Sequence, residues 1–149
     1  MSLFYILLTF AVAAYSIQDT FTLNPHYPTS KKWGNALGFA EDGSSVLSTS
    51  SNTPLSFEVK GPFLATSTDE VYFTKDVGEL VATPYLDTQV PKTAFSLHHI
   101  PYTALIQLKA GNQSLFYDCG GSKGIYQQEK YAGNCTKVEF WAIVNGLTY

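Results

Sequence analysis

Prolines stand at positions 25, 28, 54, 62, 84, 91 and 101 of this chain, and they constrain its fold more than any other feature. Each removes a backbone donor and biases the residue before it away from the helical region, so helices of several turns have little room. Between them lie short runs that mostly alternate apolar with polar residues. They are LSFEV (55–59), EVYFT (70–74), ELVAT (79–83), AFSLH (94–98), ALIQL (104–108), SLFY (114–117) and KVEFWAIV (137–144). Gly, Pro, Asn and Asp break the text every eight to twelve residues, and no segment sustains a helical period for three turns. This rhythm predicts an all-β chain.

A weak internal repeat refines that expectation. TPLSFEVKGPFLAT from Thr53 aligns with KTAFSLHHIPYTAL from Lys92, and CTKVEFWAI from Cys135 supplies a third copy of the first half. The alignment puts Phe57, Phe95 and Phe140 at related core positions. A unit of about 40 residues, present about three times, predicts a β-trefoil; a β-sandwich or another small barrel is the alternative. At 149 residues, one domain with one core is expected.

The first sixteen residues, MSLFYILLTFAVAAYS, carry no charged side chain, run apolar from Leu3 to Ala14 and end in small residues. This is the layout of a secretory signal peptide, and the run is short for a membrane span. The expected organisation is a leader over 1–16 and a secreted β-domain over 17–149, beginning near Ile17. FWAIVNGLTY lacks the polar spacer and apolar tail of a lipid-anchor signal. The nine cationic residues are all Lys, against twelve acidic residues. A chain without Arg forks or a basic excess is a poor candidate for nucleic acid.

The two cysteines, Cys119 and Cys135, are expected to form one disulfide, as two cysteines in an exported chain most simply do. A metal site would need more donors at closer spacing, and a catalytic thiol would need an activating base. The segment around them resembles the C-terminal module of the fungal Pir cell-wall mannoproteins. Phe116, Tyr117 and Cys119 match its F-Y-x-C strand, Tyr126 and Glu129 its acidic loop, and Gly133, Cys135, Val138, Ala142 and Ile143 its closing strand. The match covers about thirty residues, 114–144. The family module would have two further cysteines, and its Gln-containing tandem repeats, through which it bonds to glucan, are absent from this sequence. The resemblance therefore implies a wall-associated or secreted relative and does not carry over the covalent link.

Asn112-Gln113-Ser114 and Asn134-Cys135-Thr136 are N-glycosylation sequons, whereas Pro54 spoils the one at Asn52. The hydroxyl-rich stretch GSSVLSTSSNTP (43–54) reads either as a solvated loop with a weak strand or as an acceptor of O-linked sugar. His98 and His99 would point to opposite faces of a strand, and His26 is remote from them, so no metal site is expected. Glu41-Asp42 and Asp69-Glu70 read as turn acids rather than catalytic pairs. Most of Trp33, Phe57, Phe63, Tyr72, Phe73, Phe95, Phe116 and Trp141 should build the core. Tyr85, Tyr102, Tyr126 and Tyr131 lie in turn-like text as possible platforms for sugar rings, with Asp87 beside Tyr85. The expectation is a non-enzymatic, glycosylated structural protein of the fungal cell wall, without cofactor, whose partner is glucan or mannan. The alternative is a trefoil that binds glycans or blocks a secreted hydrolase.

Overall fold

The computed structural model describes residues 20–42, 44–84, 93–120, 124–129 and 135–144. The expected leader, Tyr85, Asp87, Tyr131 and Asn134 lie outside the described residues. Within them every named element is a strand: β1 (Phe21–Tyr27), β2 (Lys32–Trp33), β3 (Gly38–Phe39), β4 (Leu47–Ser48), β5 (Glu58–Lys60), β6 (Phe63–Ala65), β7 (Asp69–Phe73), β8 (Leu80–Pro84), β9 (Phe95–His99), β10 (Ile106–Ala110), β11 (Phe116–Asp118), β12 (Ile125–Tyr126) and β13 (Thr136–Val144). The chain is all-β, and every strand pairing is antiparallel.

Six strands join in a ring. β1 pairs with β13 from Phe21↔Val144 to His26↔Glu139. β13 pairs with β10, and β10 with β9. Phe95, opening β9, donates its N–H to the carbonyl of Pro62 just before β6, at 2.9 Å. β6 pairs with β5, and Phe57, just before β5, exchanges two backbone hydrogen bonds of 2.9 and 2.7 Å with Phe21 of β1. Three further pairs, β3–β4, β7–β8 and β11–β12, are hairpins. Bridges Val46↔Val81 and Glu79↔Tyr126 tie the second hairpin to the other two.

Alternation explains the core. In β13, Val138, Phe140 and Ala142 face one way, as do Phe21 and Leu23 of β1 and Leu108 and Ala110 of β10; all are buried in one cluster. The hairpins contribute Leu47, Leu80 and Ile125 to it. Phe57, Phe95 and Phe140 are 0%, 3% and 1% exposed, as expected of related core positions. Phe73 and Phe116 link the later aromatics, with ring centroids 6.0 Å apart for Phe73–Phe95, 5.5 Å for Phe73–Phe116 and 6.1 Å for Phe116–Phe140. These spacings suit offset aromatic contacts.

Two expectations need correction. Trp33 is 51% exposed and outside the core, because it sits on the short outer strand β2 with its ring against His26, centroids 4.8 Å apart. The hydroxyl-rich stretch is not simply a solvated loop: Ser48, Thr49 and Ser51 are buried. The hydroxyls of these three find partners, whereas Ser44 Oγ in the same stretch is buried with no hydrogen-bond partner among the described residues. Ser51 Oγ donates to Thr53 O at 3.1 Å, and Thr49 Oγ1 to Asp118 Oδ2 at 2.8 Å.

Candidate functional site

Two features stand out in the sequence, the structure adds a third, and the three lie apart. The first is the cysteine segment. Cys119, just after β11, and Cys135, just before β13, form a disulfide. Beside it, buried Asp118 collects three donors. Tyr27 Oη is 2.6 Å from Asp118 Oδ2, Thr49 Oγ1 is 2.8 Å from the same oxygen, and Gly120 N is 3.0 Å from Oδ1. Burial is the main cause that pushes the Tyr27 phenol up from 10.0 to about 12, and the hydrogen bond to Asp118 adds to it. A buried carboxylate that takes short donors from three chain segments is a structural clamp.

The second feature is the set of possible sugar platforms. Tyr102 is fully exposed at the tip of the β9–β10 connection, with φ of 65°. Its loop is held by Ile100 N–H to Leu105 O at 2.9 Å and Thr103 Oγ1 to Ile100 O at 2.8 Å. Tyr126 must be corrected: it is 6% exposed, lies in β12, and its hydroxyl donates to Glu79 Oε2 at 2.7 Å. The turn-like text around it conceals a strand that pairs with β11, Tyr126 opposite Tyr117, and the bridge Glu79↔Tyr126 sets it against the segment before β8.

The third feature is an open cleft of about 230 Å³ lined by Thr20, Phe39, Leu55, Ser56, Glu58, Thr66, Ser67, Thr68 and Asp69. Its floor is ordered by the turn before β7. Thr66 N donates to Asp69 O at 2.8 Å, and Thr66 Oγ1 accepts from Asp69 N at 3.0 Å. Thr68 Oγ1 donates to Asp69 Oδ2 at 3.0 Å, and Glu58 Oε1 lies 3.2 Å from Lys60 Nζ. Hydroxyls, two partnered carboxylates and an apolar wall can align a neutral polyol by hydrogen bonds along its edge and contact along its face. Asp69 and Glu70 open β7 rather than forming a turn, and as strand neighbours they point to opposite faces. No sequence motif announced this cleft, because its lining comes from Thr20, Phe39, the 55–58 run and the 66–69 turn.

Asn112 is exposed in the turn between β10 and β11. His98 and His99 are exposed on β9. Among the described residues, no group of three or more His, Cys, Asp and Glu is placed to hold a metal ion, and no helix is long and apolar enough to cross a membrane. No family model, curated protein or solved structure matches this chain.

Proposed function

We propose that this chain is a secreted, glycosylated, non-enzymatic β-trefoil domain that resides at a fungal cell wall and holds wall polysaccharide, glucan or mannan, in the cleft between Glu58 and Asp69. The observation that carries the reading is the cleft itself: hydroxyl-lined, open, apolar on one side, with its carboxylates already partnered. Groups so engaged are suited to accepting sugar hydroxyls and poorly placed to shuttle protons. The trefoil is supported by the six-strand ring, the three hairpins and the burial of Phe57, Phe95 and Phe140 in the core. The cystine suits an oxidising compartment, and exposed Asn112 suits glycosylation.

Co-sedimentation of purified protein with insoluble glucan, mannan-rich particles and isolated walls tests the reading. Binding that Asp69→Asn weakens is expected, as is release of wall-bound protein by hot detergent or reductant. Failure to sediment, or sedimentation indifferent to Asp69→Asn, overturns it. A second reading rests on Tyr102: a rigid loop that presents a fully exposed ring can plug a pocket of a secreted hydrolase. Inhibition of wall-degrading hydrolases that Tyr102→Ala abolishes would favour that alternative.

A further inference from the structure

The outer face of β2, β1, β13 and β10 carries a polar and aromatic cluster that the core does not need. Residues directly opposed in antiparallel strands share a face, and so do residues two apart. The pairings His26↔Trp33, His26↔Glu139, Asn24↔Trp141 and Gln107↔Trp141 therefore set Trp33, His26, Glu139, Asn24, Trp141 and Gln107 on one surface. Phe21, Leu23, Val138, Phe140 and Leu108 are on the opposite, core side.

An outward face of an isolated barrel should be solvated, yet this one is partly closed. Gln107 is 9% exposed and Trp141 8%. The cluster is pre-ordered: His26 Nδ1 lies 2.7 Å from Glu139 Oε1, and Gln107 Nε2 donates to Glu139 Oε2 at 3.2 Å. The Trp33 ring lies against His26 and stays half exposed. The buried Nε1–H of Trp141 has no hydrogen-bond partner among the described residues. A buried donor without an acceptor is costly and marks a place where a water or a ligand completes the structure.

We infer that this face is a second saccharide site, separate from the Glu58–Asp69 cleft, in which one ring of a short neutral oligosaccharide stacks on Trp33 while hydroxyls along the oligomer bond Glu139 and the Trp141 Nε1–H. The exposed indole plane suits the C–H face of a sugar, the carboxylate accepts its hydroxyl hydrogens, and the unpaired N–H needs an oxygen. Movement of the Asn24 or Gln107 amides, which flank Trp141 in register, admits that oxygen. Glu139 disfavours an anionic ligand. The two indoles are about 12 Å apart, from two strand spacings and a two-residue offset, so a short oligomer spans them better than one ring. The ligand class rests on the proposed polysaccharide-binding function; the location does not.

Both tryptophans of the chain belong to this face, and the cleft contains none. Tryptophan emission of the intact secreted protein, titrated separately with short β-glucan and mannose oligomers, thus reports this site alone. A saturable change with one of the two series is expected, and the responding series identifies the polymer. Glu139→Gln and Trp33→Ala should each weaken it by about tenfold or more, with circular dichroism confirming that the variants are folded. Asp69→Asn should leave it unchanged. No emission change with either series, or a change of equal strength in Glu139→Gln and Trp33→Ala, overturns the proposal. Sedimentation with polysaccharide that Asp69→Asn weakens while emission stays constant would overturn this site and leave the cleft standing.

Discussion

Tyr27 Oη approaches Asp118 Oδ2 to 2.6 Å across 91 positions of sequence. The contact fastens the end of β1 to the end of β11, next to the disulfide, and Thr49 adds the β4 segment to the same oxygen. Tyr27→Phe should therefore destabilise the domain by about 1.5–3 kcal/mol, the range for a hydrogen bond to a charged group. Urea unfolding at neutral pH measures this. A loss within error of zero would show that the clamp is dispensable.

The same phenol predicts an alkaline limit. Its folded pKa is raised from 10.0 to about 12, first by burial and then by the bond to Asp118. The neutral form is favoured in the folded state, so its contribution is complete below pH 10 and disappears as the pH rises through 12. Stability measured across that window should fall in the wild type and fall less in Tyr27→Phe. Parallel curves for the two proteins would contradict the assignment.

Phe57, Phe95 and Phe140 are nearly inaccessible to solvent. Replacing any one by Ala should cost roughly 3–5 kcal/mol, because each leaves a cavity in a shared cluster. Half-exposed Trp33→Ala should cost under about 1 kcal/mol. Chemical denaturation of the four variants ranks them, and the prediction fails if Trp33→Ala equals the phenylalanine variants.

Gly38 marks the tightest backbone approach on β3: an added Cβ would lie 2.3 Å from Thr53 O and 2.5 Å from Ser51 Oγ. Backbone cannot yield as a flexible side chain does. Gly38→Ala should cost about 1–3 kcal/mol, read as a lowered melting temperature.

The disulfide spans a sequence separation of 16. Replacing both cysteines by Ala should lower stability by about 2–4 kcal/mol without affecting saccharide binding. Peptide mapping without reductant should recover the Cys119–Cys135 pair. Intact mass should show sugar on the secreted chain, reduced in Asn112→Gln.

Much of the strand content was legible because the later runs alternate cleanly; KVEFWAIV set Val138, Phe140 and Ala142 on one face, and the structure buries all three. β1 was not legible, since Asn24-Pro25 reads as a break. The strand tolerates Pro25, whose carbonyl still accepts from Gly34 N at 2.9 Å. Neither candidate saccharide site was visible in advance. The cleft gathers four remote segments, while the indole face requires the register of four strands. Its one local sign was Glu139 and Trp141 alternating outward from the same strand, and only pairing with β1 and β10 brought His26, Asn24 and Gln107 beside them.

β13 also sets the timing of folding. As the last described strand it pairs with β1, the first, and with β10 and β11, and one half of the cystine adjoins it. Contacts that join the two ends of a chain carry the largest loop-closure cost and form slowly. Until residues 136–144 leave the ribosome, β1 has no neighbour on that edge and the six-strand ring is open. β13 is thus the latch of the ring, the strand that joins β1 to β10 and shuts it.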